Sequence, residues 1–406
     1  MLRILASISD TAPEEGVTRL AFTPTERAAH DVVAGWFDEI GLTVRQDVAG
    51  NTIAEDAGTD SLQAIGTGSH LDSVPRGGRF DGIAGVVASV AVAQMLKEQG
   101  ISHTHPFRFV VFAGEEGARF GQPCIGSKAV AGLWQPEHLD EVTDAEGVSL
   151  AEAMRLVGLE PGRIAEASWR DKDWGAFVEL HVEQGAVLET QGSLLGIVDL
   201  ISGSTRFEID VAGRASHSGS TPMSLRADAL SAAAEITLVA EELANDSRHR
   251  GTRCTVGKLT VFPGSITTIP GRAVVHLDVR DVDSARQRQT ANQIVRRAEL
   301  IAERRGVTLE VRLRSDTSPV VLPTWIRQVI TEACQEHTDR WRVMSSGASH
   351  DTQLVNTVIP SGLLFVPSRG GLSHVPEEWS SAADIARGSE VLLNALLKLD
   401  AHPHLT

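Results

Sequence analysis

Apolar positions in this chain recur in two ways, as short dense runs that read as buried strands and at helical spacing between them. Leu62–Gly66, Phe107–Ala113, Phe177–Leu180 and Leu363–Val366 are the runs of buried-strand type. Val32, Val33, Trp36, Phe37 and Ile40 form one stripe and predict a helix over Thr25–Gly41, with Thr25 able to cap it. Gly82–Gln99 is apolar on most faces, with small Gly and Ala positions, which predicts a helix buried close against a sheet. The pattern changes near residue 204. An alternating run at Thr205–Val211 and further strand runs at Thr255–Val261, Val274–Val279 and Val307–Leu313 are interleaved with helical stretches at Ser224–Ala244 and Ser284–Arg305. That order, strand-helix-strand-strand-helix-strand, is the split βαβ pattern of a small ferredoxin-like unit. A helix over Trp325–His337 then returns the chain to its first domain. The predicted organisation is α/β, with one domain formed by residues 1–204 and 320–406 and a second, 205–319, inserted into it.

Composition narrows the function classes. With 406 residues, 42% hydrophobic and 22% charged, the chain can fill two cores and has an ordinary surface. Its net charge of −16 disfavours phosphate backbones and anionic lipid, so neither nucleic acid nor membrane is expected as a partner. Cys124, Cys254 and Cys334 are odd in number and widely spaced, which argues against a disulfide framework or a thiolate metal cluster and for the reducing cytoplasm. The start Met1-Leu2-Arg3-Ile4-Leu5-Ala6 is too short for a signal-peptide core, and no apolar stretch reaches the roughly 20 residues that span a bilayer.

The apolar runs share one further property: each leads into a possible metal ligand. The first leads into His70-Leu71-Asp72 and the glycine-rich turn ending Phe80-Asp81-Gly82. The second delivers Glu115-Glu116, the third His181, and the fourth leads through Ser368-Arg369-Gly370-Gly371 to His374. Strand ends are where open α/β sheets bind ligands, and imidazole with carboxylate is a donor set for first-row metals. Taken singly, each has a plainer reading: a solvated loop, an acidic helix face, a hydrogen-bonded structural histidine. Their joint recurrence favours a site.

Together these pieces resemble the metal-dependent peptidase and amidohydrolase family M20, which includes the aminoacylases, and within it the hydantoinase/carbamoylase subgroup. The resemblance covers nearly the whole chain. It is carried by Leu180-His181-Val182-Glu183-Gln184-Gly185, by Gly213-Arg214-Ala215-Ser216-His217-Ser218-Gly219, and by Gly347-Ala348-Ser349-His350-Asp351. It implies a dimetal catalytic domain with a mixed central sheet flanked by helices, and an inserted ferredoxin-like α+β domain acting as lid and dimerisation surface. It further implies a homodimer, two divalent ions (zinc, manganese, cobalt or nickel), and a small anionic ureido or acyl amino acid as substrate. N-carbamoyl-L-amino acid hydrolase, β-ureidopropionase and allantoate amidohydrolase all belong to the subgroup.

Carried over by motif, His70 and His181 would hold one ion, Glu116 and His374 the other, and Asp81 would bridge them. Asp72, two residues from His70, suits the acceptor that fixes the imidazole tautomer. Glu115 is left as general base, and its charge with those of Asp81, Glu116 and a hydroxide offsets two divalent ions. The chain contains no Tyr, so a phenol cannot stabilise the oxyanion, and a metal ion and His217 are the candidates, the matching histidine working in relatives from the lid domain and often across the dimer. Arg280 matches the arginine that clamps a substrate carboxylate; its plainer reading is an edge-strand ion pair with Asp278 or Asp281. Gln184, His350 and the backbone amides of Gly370 and Gly371 complete the candidate substrate contacts. Thr267 stands where the subgroup usually has Asn, and Ser349 and Thr352 stand where Gly and Ala are usual. These departures bear on the exact substrate. His103, His105 and His276 fit no motif and read as structural or solvated.

Overall fold

Four of the apolar runs lie side by side as parallel strands, and the burial of both their faces explains why they are not alternating. In the computed structural model, which describes residues 1–405, a nine-stranded sheet contains Thr43–Gln46 (β1), Thr52–Asp56 (β2), Ala64–His70 (β3), Phe107–Phe112 (β4) and Trp174–Val182 (β5). Leu195–Ile201 (β6), Trp341–Ser346 (β7), Ser361–Val366 (β8) and the two-residue strand Val320–Val321, which pairs with β6, complete it. Hydrogen-bonded neighbours run β1-β2-β4-β3-β5-β8-β6, with β7 also on β6. β4, β3, β5 and β8 are mutually parallel, and antiparallel strands flank them. Along β4, Phe107, Phe109 and Val111 enter one core with helices Pro24–Ile40, Ile83–Gln99, Thr324–His337 and Ala382–Asp400, while Val110 and Phe112 enter another with Trp169, Trp174 and Phe177. Alternate side chains therefore point into two apolar layers, and both must be hydrophobic.

The chain divides into two compact units, one comprising Met1–Asp199 with the residues from Val321 on, the other Leu200–Val320. The second unit has a four-stranded sheet in the order Thr308–Thr317, Gly203–Ala212, Arg272–Asp281, Arg253–Phe262, every neighbouring pair antiparallel. Helices Ala229–Asn245 and Ser284–Arg305 cover one face, packing on Ala273, Val275, Leu277 and Val279. With a two-residue period, His276, Asp278 and Arg280 lie on the opposite face.

Several boundaries differ from the periodicity. The strand expected at Leu62–Gly66 is β3, Ala64–His70, so His70 ends it instead of following it. Thr23, not Thr25, caps the first long helix: its side chain accepts the Glu26 N–H, and Pro24 occupies the first turn. The helix expected from Ser224 starts at Ala229, where the Asp228 carboxylate accepts the N–H groups of Leu230 and Ser231. Helix Ile83–Gln99 is held close to the sheet, since a Cβ on Gly85 would lie 2.1 Å from the Leu180 carbonyl oxygen. Gly85→Ala should therefore destabilise the chain by about 1–3 kcal/mol, the cost of overpacking a core, read from the urea midpoint at unchanged slope.

Candidate metal centre

The parallel strands end along one edge of the sheet and present their terminal side chains together. His70 closes β3, His181 lies one residue from the end of β5, Glu115 and Glu116 follow β4, and His374 follows β8. Asp81 lies in the loop before helix Ile83–Gln99. Its two oxygens face different histidines. Asp81 Oδ1 is 3.2 Å from His181 Nε2 and 3.7 Å from His70 Nε2. Asp81 Oδ2 is 3.2 Å from His374 Nε2, which is also 3.2 Å from Glu116 Oε2. Donor atoms of His70, Asp81 and His181 fall within 4.8 Å of one another, as do those of Asp81, Glu116 and His374. Two triads sharing one carboxylate is the arrangement a pair of bridged ions requires.

The surrounding bonds place the ring hydrogens on Nδ1, while His181 Nε2 also accepts the Gly82 N–H at 3.2 Å. His181 Nδ1 is 2.8 Å from the Val182 carbonyl oxygen and His70 Nδ1 is 3.3 Å from that of Asp72. With the hydrogen on Nδ1, each Nε2 lone pair faces Asp81. The Asp72 carboxylate, 3.4 Å from His70 Nδ1, also accepts the N–H groups of Glu115 at 2.8 Å and Glu116 at 3.0 Å. One buried side chain thus fixes His70 and the Glu115–Glu116 turn together.

The electrostatics favour added positive charge. Burial opposes protonation of His70, His181 and His374, yet the neighbouring carboxylates outweigh it and raise all three imidazoles above their ordinary value. Burial pushes Glu115 up to about 7, with His70 pulling down and Glu116 and Asp72 pushing up. Hard and borderline divalent ions suit three imidazoles and two carboxylates in such a field, so the residues fit the group. Glu115 Oε2 is 3.9 Å from His70 Nε2, and its Oε1 accepts from Cys124 Sγ at 3.1 Å. It faces the centre without belonging to either triad.

Other expected contacts divide between the units. Gln184 Nε2 donates to Asp81 Oδ2 at 2.6 Å, and its buried Oε1 has no hydrogen-bond partner among the described residues. The backbone amides read as an anion nest are engaged: Gly370 N–H donates to Glu189 Oε2 and Gly371 N–H to the Ser368 carbonyl. His350 is buried, 2.8 Å from Ser346 Oγ, and lies edge-on to His181. His217, Thr267 and Arg280 belong to the other unit. There, His217 pairs with Thr268, and the Thr267 carbonyl accepts the Ser218 N–H. Arg280 Nε donates to Asp278 Oδ2 at 2.9 Å, the ion pair of its plainer reading.

The sequence reading missed a layer of buried acids. Glu179 accepts from Ser69 Oγ, Thr352 N and Thr352 Oγ1, at 2.9, 3.0 and 2.7 Å, so the unusual Thr352 hydroxyl has a defined use. Its atoms and those of His350 also approach His181, but these bonds already engage both residues. Glu183 accepts the Val187 and Leu188 N–H groups and so anchors helix Val187–Gln191. Glu378 was also passed over, although it stands four residues after His374. No periodicity marks it. His103 and His105 are structural, bonded to the carbonyls of His105 and Gln63 respectively.

Comparison with known proteins gives the family. The model of peptidase family M20/M25/M40 matches residues 66–398. The chain is 44% identical to the N-carbamoyl-L-amino acid amidohydrolase of Geobacillus stearothermophilus over 391 residues, 95% of this chain and 94% of that one. It is 40% identical to the N-carbamoyl-L-amino-acid amidohydrolase of Paenarthrobacter aurescens over 400 residues, 98% and 96% of the two chains. The crystal structure of a hydantoinase/carbamoylase family amidase from Burkholderia vietnamiensis superposes with a TM-score of 0.92 at 32% identity, covering 99% of this chain and 96% of that one. A family model matching most of the chain, 44% identity over nearly its full length and a shared fold lead to one assignment: the chain belongs to peptidase family M20/M25/M40, among its hydantoinase/carbamoylase amidases.

Proposed function

We propose that this chain is a metal-dependent amidohydrolase that cleaves a C–N bond of a small N-carbamoyl-L-amino acid. The observation that carries the proposal is the pair of donor triads sharing Asp81, with Glu115 beside them and in neither. In this reading His70, Asp81 and His181 hold one divalent ion and Asp81, Glu116 and His374 the other. Bound there, the ions would lower the pKa of water toward 7 and polarise the scissile carbonyl. Glu115 takes a proton from the attacking water and hands it to the leaving nitrogen. The C–N bond breaks, the free amino acid departs, and the carbamic acid left behind decomposes to ammonia and carbon dioxide.

We assign His217 as oxyanion donor and Arg280 as clamp for the substrate carboxylate. His217 Nδ1 accepts the N–H groups of Gly219 and Ser220, each at 3.1 Å, so a neutral ring carries its hydrogen on Nε2 as a donor. The unit Leu200–Val320 that holds both residues acts as lid and dimerisation domain in this proposal, and the working enzyme is a homodimer. The three cysteines are free, which supports a reducing, cytoplasmic setting. Among the described residues, no helix is long and apolar enough to cross a membrane.

The test is ammonia release by purified, metal-loaded protein from N-carbamoyl-L-amino acids, allantoate and N-acyl amino acids, with the amino acid product measured beside it. Turnover should be highest on an N-carbamoyl-L-amino acid. Preference for allantoate would move the assignment to that substrate, and two bound ions with no turnover on any compound would leave a metal- and carboxylate-binding module. Arg280→Ala should raise KM for the free acid by roughly thirtyfold, about 2 kcal/mol for a charged hydrogen-bonded pair. Equal parent activity on free-acid and amidated substrates would remove the clamp.

A further inference from the structure

His374 differs from the other four candidate ligands in how it is held. Its side chain is 47% exposed, against 2% for His70 and His181, which sit within strands. Its backbone has φ +60°, the left-handed region that side chains other than Gly seldom adopt. Something outside the sheet must therefore keep it beside Glu116.

Glu378 occupies that position. It is 2% exposed, and both carboxylate oxygens are committed to loops that carry ligands. Glu378 Oε1 accepts the N–H of Phe80 at 2.9 Å and of Asp81 at 3.0 Å. Glu378 Oε2 lies 2.7 Å from Ser373 Oγ, which is 3.0 Å from Asp81 Oδ2. Two further features hold the carboxylate in place. A Cβ on Gly78 would come within 2.1 Å of Glu378 Oε1, so the backbone at 78 is packed directly on it. The next residue, Trp379, packs edge-on against Phe80 with ring centroids 5.2 Å apart.

We infer that Glu378 is a positioning residue for one of the two ions, the one between Asp81, Glu116 and His374. The inference rests on the two-ion reading above. By joining the backbone before helix Ile83–Gln99 to Ser373, the neighbour of His374, it sets the distance across which that triad closes. The other triad shares Asp81 but has its other two ligands on strands, so it depends on this tie less. The two sites should therefore respond differently to loss of one carboxylate. A residue that merely stabilised the fold would weaken both.

The experiment is a cobalt(II) titration of the chelated full chain, followed by visible absorption and by isothermal calorimetry. The parent should bind two equivalents. In Glu378→Ala the first equivalent should stay within about twofold of the parent, while the second weakens about 10- to 100-fold, the range for losing a group that orients a metal ligand. Ser373→Ala should weaken the same equivalent by less. If circular dichroism shows that Glu378→Ala does not fold, Glu378→Gln replaces it; it keeps the acceptor for Phe80 and Asp81, and the loss should then follow Ser373→Ala. Two equivalents at parent affinity in every folded variant, or equal weakening of both, overturns the inference. A parent that binds a single equivalent overturns the two-ion reading instead, and this inference falls with it.

Discussion

Chelation should bring hydrolysis to zero, and a divalent ion added back should restore it. The expectation follows from the donor set: His70, His181, His374, Asp81 and Glu116 converge within bonding reach of two shared centres, and nothing else in that cluster can polarise a carbonyl as strongly. A large loss of stability should accompany the loss of activity. The cluster holds Asp72, Asp81 and Glu115 buried, and the ions would be the charges that offset them. By mass action, an ion at a thousand times its dissociation constant adds about 4 kcal/mol, so the chelated chain should melt many degrees lower. Calorimetry on chelated and reloaded protein, with metal content measured alongside, checks both halves. Full turnover by a chain stripped of its ions would end the metal reading.

Changing Glu115 to Gln should leave both ions bound and lower turnover by roughly a hundredfold or more, the scale of a lost general base. The separation from Glu116 is geometric. Glu116 lies 3.2 Å from His374 within a triad, whereas Glu115 contacts Cys124 and approaches His70 only to 3.9 Å. Loss of metal on Glu115→Gln would exchange the two roles. The same variant can test how His217 acts. If His217 serves the partner's site, a mixed dimer of Glu115→Gln and His217→Ala chains has one site with both defects and one with neither. Such mixtures should regain activity, while heterodimers that remain inactive place His217 in its own chain's chemistry or in none.

Much of the fold could be read from the chain because its signals are local. Phe107–Phe112 is apolar except at Arg108 because both its faces are buried, and Ile83–Gln99 carries Gly85 and several Ala because its backbone approaches β5. The alternation of Arg272–Asp281 predicts one face against helices and one away from them, and that is how its residues divide. The polar edge strand Thr43–Gln46 was missed for the converse reason: a largely exposed strand carries no apolar pattern. The helix Ala382–Asp400 was also missed, although its buried stripe joins the main core.

The candidate site was legible in its ligand-type residues and not in their supports. His70, Glu116 and His181 stand in short motifs at or just after strand ends, where a strand fixes a side chain to within a few residues, while Asp81 and His374 stand in the loops that follow. Whether a carboxylate is spent on a backbone amide or left facing the centre depends on contacts made across long separations. Glu378 meets Phe80 across 298 residues of sequence, and Asp72 meets Glu115 across 43. Gly370 and Gly371 look like an anion nest in sequence, but in the fold Glu189 and the Ser368 carbonyl take their N–H groups. The sequence by itself therefore determined the buried strands and most of the helices, and the ligand-type residues near the strand ends, since periodicity and short motifs are local signals. Which acids bind, which orient and which are satisfied by backbone was decided only in three dimensions, because a hydrogen bond depends on distance in space and the chain records only separation along itself.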